Sequence, residues 1–315
     1  MTSSLLSTSE SRHVLDAGLP QPHWTPLTDS MPSQSISALA FDVADTTSRT
    51  IYAGTGFYSS YAQLGNKRIG LMRTTDAGQS WQVVNGGGVL NGKNISGVFA
   101  NGNTIVVSVN VADNFAPANI GVFRSTNGGV SFTQISTGNG AATGLPSGVS
   151  YDLVVDPLNP SVMYTPIVFA TSGGTNGVYK STNAGATWAK VSSPAMDALI
   201  VNSTSNLELT AGRNNEVYAG IVNAGVVVGL FRSPDNGATW VALDLPQTNE
   251  TGGNVGLNPK GGKGPSSGPP ETIAGGQGDI HFSIIADPSN ANLVYVGGDR
   301  QPRGFRDQGT FPNAI

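Results

Sequence analysis

One octapeptide recurs four times in this chain, and it constrains the fold more than any other feature. The copies are Thr74-Thr-Asp76-Ala-Gly78-Gln-Ser80-Trp81, Ser125-Thr-Asn127-Gly-Gly129-Val-Ser131-Phe132, Ser181-Thr-Asn183-Ala-Gly185-Ala-Thr187-Trp188 and Ser233-Pro-Asp235-Asn-Gly237-Ala-Thr239-Trp240. Each has a hydroxyl residue first, Asp or Asn third, Gly fifth, a hydroxyl seventh and an aromatic last. Successive Asp/Asn positions fall at 76, 127, 183 and 235, a period of about 50 residues, and periods of that size mark repeat architectures.

The octapeptide has the physics of a tight hairpin turn. Asp or Asn can bond the turn's own backbone N–H groups, and Gly two residues later supplies a positive φ. The hydroxyls add local bonds, and the closing aromatic packs between neighbouring sheets. Asn replaces Asp at 127 and 183 with the pattern intact. A turn acceptor tolerates that swap and a general acid does not, so these positions read as structural.

Each turn sits inside a four-strand unit. Third strands precede it at Gly70–Arg73, Gly121–Arg124, Gly177–Lys180 and Gly229–Arg232, and fourth strands open on its aromatic. First strands are predicted at Ile36–Asp42, Ile95–Ala100, Tyr151–Val155, Leu207–Ala211 and His281–Ala286. Second strands are predicted at Thr50–Gly54, Thr104–Val109, Val162–Val168, Glu216–Ile221 and Leu293–Gly297. Turn residues such as Asp156-Pro-Leu-Asn-Pro160 and Asp287-Pro-Ser-Asn290 join them. Four short antiparallel strands per repeat predict an all-β chain built of propeller blades.

The octapeptides resemble the Asp-box, or bacterial neuraminidase, repeat of sialidases, sortilin-type receptors and xyloglucan-degrading glycosidases. The resemblance covers residues 24–300 and implies a β-propeller. It does not select a function, because those families include enzymes and receptors.

Residues 1–20 read as a polar tail, 21–300 as the propeller with a Gly/Pro/Ser-rich insertion at 247–278, and 301–315 as an incomplete blade. Trp24-Thr-Pro-Leu27 matches a lone fourth strand, of the kind that closes a ring without a free edge. The expectation is four complete blades plus partial ones, a fragment of a six- to eight-bladed ring in a longer parent with further domains. A closed five-bladed ring, with Arg303–Phe311 as a degenerate last strand, is the alternative. Composition favours a disordered excursion for the insertion.

Composition excludes several functions. The 16 Lys+Arg and 20 Asp+Glu give a net charge of −4, with no basic stripe for nucleic acid. The absence of Cys removes disulfides, thiolate metal sites and thiol nucleophiles. With three His no metal constellation forms, and no metal or other cofactor is expected. No apolar run is long enough for membrane insertion.

The longer connections, on the end opposite the octapeptides, are where binding is expected. A sialidase reading implies a converging arginine clamp, but Arg68-Ile-Gly70 matches the family's Arg-Ile-Pro poorly. Arg73, Arg124, Lys180 and Arg232 are repeat positions. A glycosidase needs paired carboxylates, and Asp113, Asp152, Asp279 and Asp299 are the candidates, with His281 beside Asp279. Each also reads as an ordinary solvated carboxylate. Tyr58, Tyr61 and Arg68 suit binding, since Tyr faces stack on sugar or peptide and Arg offers a planar donor fork. Arg300 stands next to Asp299. The resulting expectation is a non-catalytic propeller that binds a glycan or protein ligand in an extracellular or surface protein. A glycoside hydrolase is the alternative, and a purely structural repeat the third.

Overall fold

The computed structural model describes residues 31–56, 66–138, 143–171, 175–245, 247–250, 253–256 and 278–297. Blade 1 consists of β1 (Ile36–Phe41), β2 (Ile51–Thr55), β3 (Leu71–Thr74) and β4 (Gln82–Val84). Blade 2 follows with β5 (Lys93–Asn101), β6 (Thr104–Ala112), β7 (Gly121–Ser125) and β8 (Thr133–Gln134). A short strand, β9 (Ser147–Val149), then pairs with the long second strand of blade 3. That blade contains β10 (Val154–Asp156), β11 (Asn159–Thr171), β12 (Gly177–Ser181) and β13 (Ala189–Lys190). After a helical turn, α1 (Pro194–Asp197), blade 4 runs through β14 (Thr204–Ala211), β15 (Val217–Asn223), β16 (Val226–Ser233) and β17 (Val241–Leu243).

In all four blades the strands pair antiparallel in chain order, as a propeller requires. The chain continues through a hairpin, β18 (Gln247–Glu250) and β19 (Gly253–Gly256), a helical turn α2 (Gly278–His281), and two strands of a fifth sheet, β20 (Ser283–Ala286) and β21 (Val294–Gly297). The hairpin lies in the segment that composition alone marks as a disordered excursion. His281 closes α2 and does not open a strand.

The apolar core is divided among the gaps between sheets. Tyr52 and Leu71 of blade 1 pack on Ile95, Ile105 and Phe123 of blade 2. Phe99 and Val122 meet Leu153, Met163 and Tyr179 in the next gap, and Tyr164 and Val178 meet Leu207, Leu209 and Phe231 in the third. Leu230 and Val222 cover Phe282 beside the fifth sheet. Alternation along each strand thus supplies both of its neighbours, at about 1.5–3 kcal/mol per large side chain buried. The closing aromatics Phe132, Trp188 and Trp240 fill these same gaps.

The octapeptide turns share one bonding scheme. The first hydroxyl accepts from the Gly N–H: Thr74 from Gly78 (2.8 Å), Ser125 from Gly129 (2.9 Å), Ser181 from Gly185 (2.9 Å) and Ser233 from Gly237 (2.7 Å). The third residue's Oδ1 accepts from the backbone of the seventh, at 2.8–3.0 Å throughout. Residues four and five both carry positive φ, for example Ala184 at 52° and Gly185 at 77°. The fourth residue's N–H also donates to the first-to-second turn of its own blade, as Ala184 does to Ser161 (2.9 Å). These bonds bring both kinds of tight turn to one end of each blade and leave the longer connections at the other.

Candidate functional site

Two polar groups stand at the long-connection end. The first lies between blades 1 and 2, where backbone bonds lace three segments together. Gly92 N–H donates to the Arg68 carbonyl (2.8 Å), and Asp113 N–H donates to the Gly92 carbonyl (2.8 Å). This places the Arg68 guanidinium against Asp113 Oδ1 in an ion pair. The Arg side chain is 8% exposed and the Asp side chain 69%, so a sheltered cation fixes an open carboxylate. Gly92 is needed there, because it has φ +71° and an added Cβ would meet Asp113 Oδ2 at 2.6 Å. Around the pair is a cavity of about 480 Å³ bordered by Asn66, Lys67, Arg68, Asn91, Gly92 and Asp113.

The second group lies between the inner strands of blades 3 and 4. Asp152 precedes the turn residue Asp156 by four positions, as Ala38 precedes Asp42 and Ser283 precedes Asp287. Glu208 occupies the same column: it pairs across its sheet with Gly220, as Ala38 does with Gly54 and Ser283 with Gly297. The column is therefore small-sided except at blades 3 and 4, where two carboxyls are neighbours. Asp152 Oδ1 accepts from Leu153 N–H (2.7 Å), and its Oδ2 accepts from Leu209 N–H across the gap (2.8 Å). Glu208 Oε1 accepts from Asn206 Nδ2 (2.9 Å), which also reaches the Gly278 carbonyl of α2 (3.3 Å).

Both carboxyls are crowded by protein yet keep a water-accessible face. Burial pushes Asp152 up to about 7, against the pull of its two backbone donors. Burial first, and then the charge of Asp152, push Glu208 up to about 8, against the Asn206 bond. Two such neighbours cannot both ionise cheaply, and near neutral pH the pair retains a proton. Tyr151, half-buried next to Asp152, is raised to about 12 by burial and by the nearby charge of Asp279. Asp279 itself is exposed on α2.

The structure therefore unites Arg68 with Asp113, and sets Asp152 beside a residue that sequence reasoning missed, Glu208, with Tyr151 adjacent to Asp152 and near the charge of Asp279. Tyr58, Tyr61, Asp299 and Arg300 lie outside the described residues. Arg124 Nε donates to the Ala184 carbonyl (2.9 Å), Lys180 Nζ to that of Asn236 (2.7 Å) and Arg232 Nη2 to that of Ala291 (2.9 Å). These third-strand cations each tie one blade to a turn of the next. Among the described residues no three His, Asp or Glu gather as metal ligands, and no helix is long and apolar enough to cross a membrane.

Fold and site together define a β-propeller with two carboxyls side by side at the inner strands of neighbouring blades. No protein-family profile matches the chain. A curated Paenibacillus xyloglucanase is 32% identical over 126 residues, which is 39% of this chain and 11% of the relative. Among solved structures, the GH74 xyloglucanase from Xanthomonas campestris matches with a TM-score of 0.50 and 16% identity, over 88% of this chain and 38% of that one. An ancestral GH74 enzyme matches with a TM-score of 0.49 and 20% identity, over 86% of this chain and 30% of that one. The Xanthomonas likeness is one of fold. The chain spans about a tenth of the curated relative, and under two-fifths of each of these two structures.

Proposed function

We propose that this chain forms part of a glycoside hydrolase acting on a xyloglucan-type polysaccharide, with Asp152 and Glu208 as its acid–base pair. The observation that carries the reading is the juxtaposition of those two carboxyls, Asp152 just before β10 and Glu208 on β14 of the next blade. Glycoside hydrolysis needs one carboxyl still protonated at working pH and a second that is ionised. Glu208, raised to about 8, suits the proton donor. Asp152, raised less than Glu208, suits the ionised partner. Tyr151 offers an aromatic edge at the same mouth. The partial identity to a xyloglucanase supports the substrate class. A secreted or surface setting goes with this reading, because such polysaccharides lie outside the cell.

The test is release of reducing ends from xyloglucan and from unbranched glucans. Glu208→Gln should lower kcat by about 10²–10⁴-fold with the fold intact, the usual worth of a general acid. Wild-type activity should decline as pH rises past about 8, where Glu208 loses its proton. Undiminished turnover in Glu208→Gln sinks the assignment.

A non-catalytic glycan-binding propeller is the second reading, and one observation favours it. Both oxygens of Asp152 are already taken by the backbone N–H groups of Leu153 and Leu209, a use that serves the fold. Binding of xyloglucan without any product would select this reading.

A further inference from the structure

We infer that the laced cavity between blades 1 and 2 is a separate binding subsite for an uncharged saccharide, with the carboxylate of Asp113 as its principal acceptor. The inference deepens the proposed function and rests on its polysaccharide substrate class. It concerns different residues on different blades.

Three features of the cavity argue for a ligand. Its volume, about 480 Å³, falls within the roughly 300–1,000 Å³ usual for small-molecule sites. Its floor is preorganised: the bonds from Gly92 to Arg68 and from Asp113 to Gly92 fix three segments by backbone alone. Its carboxylate is also held in an unusual way. Arg68 is nearly sealed while Asp113 stands 69% exposed, so the guanidinium orients the carboxylate from behind and leaves its outer face open. The backbone bonds already join the three segments, so the ion pair serves chiefly to aim the Asp113 carboxylate outward.

The chemistry of the wall selects the ligand. Asn66 and Asn91 bring amides that donate and accept, Asp113 accepts, and Lys67 donates. Sugar hydroxyls are donors and acceptors at once, and they match such a mixed set. An anionic ligand would have to displace Asp113 from Arg68, and an organic cation would face Lys67 and Arg68. An uncharged polyol meets neither penalty.

The full 315-residue chain should be titrated calorimetrically with a borohydride-reduced xyloglucan oligosaccharide, and in parallel with an oligogalacturonide as the acidic counterpart. The neutral oligosaccharide should bind and the acidic one should not. Asp113→Asn should weaken that binding about tenfold or more, since hydrogen bonds to a charged acceptor are the strong ones. Gly92→Ala should weaken it as well, because the added methyl displaces the Asp113 carboxylate. Asp235→Asn, in an octapeptide turn at the opposite end of its blade, should leave the Asp113-dependent binding unchanged. Absence of binding by the folded wild-type chain, preference for the galacturonide, or unaltered affinity in folded Asp113→Asn would each overturn the inference. Retained binding with no hydrolysis would instead remove the enzymatic reading and leave the subsite standing.

Discussion

The backbone N–H of Leu209 donates to Oδ2 of Asp152 over 2.8 Å, joining blade 4 to blade 3 through a carboxylate whose neighbour is another carboxyl, Glu208. Carboxyls in an unfolded chain titrate near 4, whereas burial and mutual repulsion push this pair up, toward about 7 and about 8. Between those limits the folded chain binds more protons than the unfolded one. Its contribution to unfolding free energy is therefore greatest below pH 4, falls as pH rises from about 4 to 8, and levels off above. Carboxylates lowered by hydrogen bonds, such as Asp76 and Asp287 at about 2, act in the opposite sense but only below about pH 4. Urea midpoints measured from pH 4 to 9 should decline through that window. Glu208→Gln should flatten the decline and stabilise by about 1–3 kcal/mol at pH 8, because the second buried charge is gone. A flat wild-type profile would refute the proton sharing.

Asp235→Asn should change stability little, and the geometry gives the reason. Where the third octapeptide residue is Asp, the seventh-position hydroxyl donates to it, as Thr239 does to Asp235 (2.6 Å). Where it is Asn, the amide donates to the hydroxyl oxygen, as Asn183 does to Thr187 (2.7 Å). The bond survives with its polarity reversed. Ser233→Ala has no such exchange, since the buried hydroxyl both accepts from Gly237 and donates to Asp235. It should cost about 0.5–2 kcal/mol, as loss of a side-chain cap does. Calorimetric melting of both variants decides the matter, and equal losses would contradict the reversal.

Much of this fold is legible because its signals are local. Gly237 and Asp235 encode a turn without reference to any other blade, and the strand ending at Arg232 is placed by that turn. The column shared by Ala38, Asp152, Glu208 and Ser283 was less visible. Only five Glu occur in the chain, and Glu208 stands between Leu207 and Leu209, where no motif marks it. Asp152 is already a candidate from the sequence, and only the cross-strand register with Gly220 brings Glu208 into the same column. His281 reads as a strand residue because Ile280 and Phe282 flank it, yet the segment first makes the turn of α2. The pairing of Arg68 with Asp113 depends on Gly92, 21 residues from one partner and 24 from the other. No local pattern carries such a contact.

Lys180→Met should loosen blade 3 from blade 4. Its ammonium donates to the Asn236 carbonyl over 2.7 Å and lies 5.7 Å from the centroid of the Tyr164 ring. Met retains the apolar stem and removes both interactions. A loss of about 1–3 kcal/mol is expected from one hydrogen bond to a charged donor and one cation–π contact. Lys180→Arg should recover most of it, as Arg124 of blade 2 makes the equivalent bond to Ala184 of blade 3. Urea denaturation of the two variants reads this out, and a Met variant as stable as wild type would show the cation to be dispensable.

Ligand contact should map to the long-connection end and spare the octapeptides. At the octapeptide end the polar groups are committed to one another: Asp76 accepts from the backbone and hydroxyl of Ser80, and Thr74 accepts from Gly78. A ligand there would have to break bonds already made, whereas Asp113 and Asp279 present exposed side chains at the other end. Bound saccharide should therefore slow amide exchange at residues 66–69, 91–93 and 206–209. Residues 74–81, 125–132, 181–188 and 233–240 should exchange as in the free chain. The two groups report on separate hypotheses, since protection at 66–69 and 91–93 follows the cavity beside Asp113 and protection at 206–209 follows the carboxyl pair. Protection confined to the octapeptides would mean that the turns, and not the long connections, form the binding surface.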